Sequence, residues 1–248
     1  MFIIKKYIKK PLNVKDIYFA EKPLLKYGLL VNYFQSKAVN RNIFFQRKNF
    51  YTKKNIIGYD LYESVFSKSC LYKINRAIRE NISCRQFVDI NQFLILHNQF
   101  KINKGIGGIL KVEDVKSLNN HFEMRAAYSA DGKLLVIHSY LIDKVGKMVR
   151  LYHSFHNTYE EGNFNSCFLG RANRLLHYDD MNYYKENGFI TYDFGGYAYL
   201  TENISLKGIN EFKDSFGGTL TRESHYSSIL IIIVKKMYKF LSKLKKLI

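Results

Sequence analysis

Residues Gly170 to Gly196 read GRANRLLHYDDMNYYKENGFITYDFGG, and the fold turns on how this stretch divides. Gly170 to Asn187 reads as a helix, with Gly188 as its C-terminal stop and Phe189 placed to close the cap. Ile190 to Phe194 reads as a strand. Upstream, FEMRAAYS from Phe122, the turn Ala130-Asp131-Gly132, KLLVIHSYLI from Lys133, the turn Asp143 to Lys147, and MVRLYHSFH from Met148 spell a three-stranded antiparallel meander. A strand, a crossover helix and a strand run parallel in one sheet, which sets the helix start near the C-terminal end of the incoming strand.

Such a helix start suits phosphate. In Cys167 to Ala172, CFLGRA, freed amides and the helix dipole can surround a diphosphate, Gly170 and Ala172 leave the approach open, and Arg171 adds charge. Leu169, Gly170, Arg171, Ala172 and Asn173 are therefore the cofactor-binding candidates. The competing reading is a plain helix cap.

The order meander, small-residue loop, helix, parallel strand resembles the core of the GNAT superfamily of acyl-CoA transferases. CFLGRA is similar to that family's pyrophosphate loop, Gln/Arg-x-x-Gly-x-Gly/Ala, with Cys167 where the first polar residue is usual. GRANRLLHYDDMNYYKENGF, then YDFGGY (Tyr192–Tyr197), then GINEFKDSFGG (Gly208–Gly218) resembles the Fem-like branch, the peptidoglycan bridge-forming aminoacyltransferases and related sugar N-acyltransferases, over Phe87 to Tyr226. The resemblance implies an α/β (α+β) fold with a GNAT-like mixed, mostly antiparallel sheet flanked by helices.

It also implies chemistry: transfer of an acyl group from a thioester, acetyl-CoA or another acyl-CoA, to the amine of a nucleotide-linked amino sugar in surface polysaccharide or lipopolysaccharide synthesis. The alternative donor is aminoacyl-tRNA with a peptidoglycan-precursor acceptor; a third reading is a non-catalytic membrane-peripheral binding protein. Phe212-Lys213 matches a Phe-Lys signature in which the lysine lies near the transferred acyl group, where it would neutralise developing charge or bind a substrate phosphate. Asp193 would orient an amine or cap its turn. Tyr197 and Phe212 are the substrate-binding candidates. A neutral amine nucleophile requires a base; His156, nearer the strand end, is preferred over His153, which faces the opposite side, and over His138. The oxyanion would be held by amides of the third strand. The two Phe-Gly-Gly stretches are expected to be turns that narrow the acceptor side, where bare backbone permits close approach.

Composition sets bounds. The chain has 248 residues, 47% hydrophobic and 16% aromatic, enough for a sizeable core, and no repeats at solenoid periods. A net charge of +18 implies anionic partners such as a phosphorylated cofactor, nucleotide, nucleic acid or acidic membrane face. Cys70, Cys84 and Cys167 lack zinc or disulfide spacing, which points to a reducing cytoplasm. The histidines lack metal-ligand spacing, so no metal is expected. The longest apolar run, Ile229 to Val234, falls short of the ~20 residues that cross a bilayer. The tail KKMYKFLSKLKKLI, Lys235 to Ile248, reads as a basic amphipathic helix that packs on its own domain or lies against an anionic membrane on the inner face. The resemblance implies an N-terminal region over residues 1–86 with a partial GNAT-like lobe, a GNAT-like acyltransferase domain over 87–228 and the basic terminal helix over 229–248. Further helices are expected at Ser69–Ile82, Val88–Phe100 and Glu113–Phe122.

Overall fold

The structure, a computed structural model, describes residues 1–9, 12–157 and 164–244. The chain forms two compact units, Met1–Thr52 with Thr221–Ile248, and Lys53–Leu220. Neither boundary falls at 86/87 or 228/229. Residues 57–82 belong with the second unit because Ile57, Tyr62, Phe66, Cys70, Ile74 and Ala77 share one core with Leu176, Tyr184 and Phe194.

The elements in chain order begin with β1 (Phe2–Lys9), β2 (Leu12–Tyr18), β3 (Val31–Ser36) and β4 (Phe45–Ile56). There follow α1 (Lys68–Arg79), β5 (Ser83–Gln86), α2 (Ile90–Asn103), α3 (Val112–Lys116), β6 (Phe122–Tyr128), β7 (Leu134–Asp143) and β8 (Met148–His156). The chain closes with α4 (Ser166–Glu186), β9 (Thr191–Tyr197), α5 (Ile204–Asp214), β10 (Thr219–Ser228) and α6 (Ile229–Leu244). The fold is mixed α/β with mostly antiparallel strands and flanking helices, as expected.

In the first unit the strand order is β1-β2-β3-β10-β4, with β2 and β3 parallel and β1/β2 and β3/β10 antiparallel. Ile17, Val31, Tyr33, Phe45 and Tyr226 form its core. Helix α6 ends at Leu244, and residues 245–248 of the expected terminal helix lie outside the described residues.

In the second unit the order is β9-β8-β7-β6-β5. The meander is as read, and every residue of β7 is buried, as a central strand covered on both faces demands. Strands β8 and β9 run parallel but pair only at Met148↔Thr191, Val149↔Tyr192 and Arg150↔Asp193. Beyond that point each continues without the other, so the sheet splays open. On its other edge β8 carries an extra residue, Tyr152, between the pairs Tyr140↔Leu151 and Ser139↔His153; a bulged residue leaves the ladder and turns its amide elsewhere.

Two helical expectations are corrected. Glu113–Phe122 is not one helix: α3 ends at Lys116, Asn119 takes a φ of +47°, and Phe122 already belongs to β6. Helix α4 starts four residues earlier than Gly170, because Asn165 caps it by accepting the amide of Phe168 at 2.8 Å. Its end is as read: Gly188 at φ +81° donates to Lys185 O, Phe189 donates to Tyr184 O, and the Phe189 and Tyr184 rings meet at 5.5 Å, a Schellman cap with its hydrophobic contact.

Candidate active site

The splayed end of β9 carries the sequence Asp193-Phe194-Gly195-Gly196-Tyr197. Asp193 is fully buried; one carboxylate oxygen accepts the Gly195 amide at 2.7 Å and the other lies 3.6 Å from Arg150 Nη1 on β8. Asp193 thus caps its own turn and also holds an ion pair at the last rung before the splay. Gly195 has φ +78°, and a Cβ there would stand 3.2 Å from Leu151 O. The glycine lets the two backbones approach where the ladder has stopped.

Helix α5 delivers Phe212 and Lys213 to this turn. Lys213 is 9% exposed and its ammonium donates to Gly196 O. Burial pulls its pKa down to about 8; Asp193 opposes that shift and Arg150 reinforces it. Phe212 packs on Phe216 at 5.4 Å and His177 at 5.4 Å, and the Arg174 guanidinium of α4 stands 4.6 Å over its ring. Arg174 keeps a buried Nε with no hydrogen-bond partner among the described residues. Tyr197 donates to Asp214 at 2.8 Å, and a cavity of about 330 Å³ opens beside it, lined by Tyr199, Lys207, Asn210 and Leu220. Lys213, Asp193, Phe212 and Tyr197 therefore lie around one turn.

The preferred base does not join them. Among the described residues no hydrogen bond or ring contact links His156 to Lys213, Asp193 or Phe212; its ring stands edge-on to Phe100 at 6.5 Å and its Nδ1 is buried without a partner. Burial, with Lys104 and His138, lowers its pKa, so the imidazole is neutral at pH 7. His153, on the opposite face of β8, is oriented by Ser139 Oγ at 2.8 Å and packs 4.5 Å from His97; burial brings its pKa to about 3. It opens on a smaller cavity of about 210 Å³ with Tyr152, Phe100 and Lys101.

The cofactor-binding candidates are reassigned by the true start of α4. Leu169, Gly170, Arg171, Ala172 and Asn173 all lie inside the helix rather than at its mouth. Leu169 donates to Asn165 O, Ala172 is completely buried, and Asn173 Oδ1 meets His138 Nε2 at 2.7 Å. Arg171 grips Glu80 with two hydrogen bonds of 2.8 and 2.6 Å, a carboxylate it shares with Arg76 at 3.1 Å, so its guanidinium is held away from the helix mouth. The amides at the mouth are those of Ser166 and Cys167.

Sequence reasoning missed a buried polar chain behind the site. Arg125 on β6 binds Asp180 at 2.5 Å and Asp179 at 2.5 Å. Asp180 in turn accepts from Tyr140 and meets His138 Nδ1 at 2.9 Å. Tyr140 meets the Tyr192 hydroxyl at 2.7 Å, and Tyr192 reaches His177 Nδ1 at 2.7 Å. Burial holds both phenols well above and His177 well below their ordinary pKa values, leaving neutral Tyr140, Tyr192 and His177 beside the two ion pairs that Arg125 makes with Asp179 and Asp180. The chain ends at His177, against the ring of Phe212. Adjacent aspartates within an otherwise helical, aromatic-rich stretch were the only signal for it.

These features define a fold, and solved structures share it. FemX superposes with a TM-score of 0.63 over 95% of this chain and 85% of that one, at 13% identity. L-PGS from Bacillus licheniformis gives 0.55 over 83% and 72%, at 11% identity. The C-terminal DUF2156 domain assigned to a lysylphosphatidylglycerol synthetase of Agrobacterium fabrum gives 0.52 over 79% and 67%, at 9% identity. At such identities the likeness is one of fold. No family model and no curated protein matches the sequence. Among the described residues no helix is long and apolar enough to cross a membrane, and no group of three or more His, Cys, Asp or Glu is placed to hold a metal.

Proposed function

We propose that this chain is an acyltransferase of cell-envelope synthesis that moves an acyl or aminoacyl group from an activated ester to an amine. The observation that carries the reading is the buried Lys213 ammonium beside the end of the β8/β9 ladder, next to Gly196, whose backbone has open space around it. A carbonyl carbon attacked by an amine becomes a tetrahedral centre bearing an oxyanion, which collapses to the amide as the ester bond breaks and the carrier's thiol or hydroxyl leaves, taking up a proton in place of the one the amine gave up. In this reading the bulge amide near Tyr152 and the Lys213 ammonium stabilise that oxygen, and a charge held in a dry site does so more strongly than in water. In this reading Tyr197 and Phe212 border the acceptor, and His156, which lies away from Lys213, would act as base only through intervening water. The protein would work in the cytoplasm, at or near the inner membrane face.

The donor in the first reading is acyl-CoA and the acceptor a nucleotide-linked amino sugar, with the carrier's diphosphate at the amides of Ser166 and Cys167. A second reading, aminoacyl-tRNA with a peptidoglycan precursor, is favoured by the early start of α4 and by the commitment of Arg171 to Glu80, which leave residues 169–173 without a diphosphate loop. Both are tested together. The protein is incubated with acetyl-CoA and nucleotide-linked amino sugars while free CoA is measured, and in parallel with labelled aminoacyl-tRNA and a peptidoglycan precursor. Transfer in one arm assigns the donor, and Lys213→Met is expected to reduce it at least a hundredfold. Silence in both arms would refute the transferase reading.

A further inference from the structure

Helix α6 buries Ile231 completely but turns Ile229, Ile233, Met237 and Phe240 outward, at spacings of four, four and three residues. Such spacings place all four on one face of a helix. Met237 is 58% and Phe240 63% exposed. The Ile43-Phe44 turn continues this apolar strip, since the Ile229 amide donates to Phe44 O at 3.1 Å, and Ile43 is 81% exposed. A strip of large apolar side chains left in water at two joined elements marks a contact surface.

Charge identifies the occupant. Residues 37–50 and 229–248 contain no Asp or Glu, whereas Arg41, Lys48, Lys235 and Lys236 on these same two segments are exposed. In sequence, Lys239 and Lys243 follow Lys236 at helical spacing. A protein groove would set acidic partners against some of these cations and fix one register; an anionic lipid surface satisfies them all while its acyl chains take the apolar face. We infer that the α6 face and the Ile43-Phe44 turn together dock the protein on an anionic lipid bilayer. The inference is independent of the transferase reading.

The test uses the full chain and sedimentation with vesicles of phosphatidylglycerol and phosphatidylcholine, against phosphatidylcholine alone. Binding is expected to the anionic vesicles only and to weaken with salt. The Ile233→Ser/Met237→Ser double variant, folded by circular dichroism, is expected to lose at least tenfold in partitioning. The chain has no tryptophan, so Phe44→Trp supplies a single emitter whose spectrum should shift to the blue on anionic vesicles. Absence of vesicle binding, an unaffected double variant, or an unshifted emission would overturn the inference. So would a dimer, detected by sedimentation equilibrium and split by the same double variant, which would assign the strip to a second copy.

Discussion

Lys213 is the residue on which chemistry and stability meet. Its folded-state pKa of about 8 lies below the ordinary 10.5, so between these values the unfolded chain binds more protons and stability rises with pH. Below pH 8 the ammonium is charged in both states and the cost of burying it is fully present, about 3 kcal/mol from the shift. Lys213→Met is therefore expected to stabilise the protein at pH 7 by up to about that amount, and much less at pH 10, as read by urea unfolding. If the charged form serves the reaction, transfer should fall as pH rises through 8. A different outcome is expected behind the site: Asp180→Asn strips Arg125 of its buried partner and should cost roughly 3 kcal/mol, with Asp179, more exposed, retaining part of the attraction. The Phe-Lys pair could be singled out in the sequence because it is a local motif that resembles a family signature. The Arg125–Asp180–Tyr192–His177 chain was not, since it draws on β6, α4 and β9, and only their register makes neighbours of them.

At the scale of elements, the helix cap decides what residue identity alone left open. A glycine five places into α4 is a helix interior, where added Cβ atoms are favourable: at Gly170 the new atom would meet only Arg174 Nη1 at 3.7 Å. Gly170→Ala is expected to stabilise by up to about 1 kcal/mol and to leave donor affinity intact, whereas Asn165→Ala should cost about 1 kcal/mol; thermal melts and donor titration check both. The second Phe-Gly-Gly behaves otherwise. Gly217 and Gly218 take φ of +69° and +79°, with Val65 O 2.6 Å from a Cβ at the first and Asn55 and Lys54 closing on the second. Gly218→Ala is expected to destabilise by more than 2 kcal/mol, while Gly196→Ala, with nothing within 4 Å, should be neutral. The need for bare backbone was readable from the paired glycines; which glycine needs it depends on strands and loops far away in the chain. Asp-Gly and Gly-Phe signals placed the meander and the end of α4 because turn chemistry is short-ranged, and the start of α4 was misplaced because an asparagine cap competes invisibly with a conspicuous glycine.

For the whole molecule, the charge of +18 distinguishes the two donors by their salt response. Each phosphate neutralised along a nucleic acid adds to the slope of log affinity against log salt. An aminoacyl-tRNA donor should give a slope of several units, and a CoA donor a shallow one, in titrations from low to physiological salt. The two-unit division was hidden from the sequence, since the first unit is assembled from both ends of the chain, 1–52 and 221–248, and no linker composition marks a boundary.

Of the three cysteines, Cys70 is buried, Cys84 is half-buried with burial pushing its thiol up, and Cys167 is exposed on the opening turn of α4. Chemical labelling should therefore be selective without any engineering: a maleimide dye will find that single sulfur first. Placed next to the Ser166 amide, such a reporter would dim, brighten or be shielded from alkylation whenever a carrier settles there, giving a direct occupancy signal even before any turnover is detected.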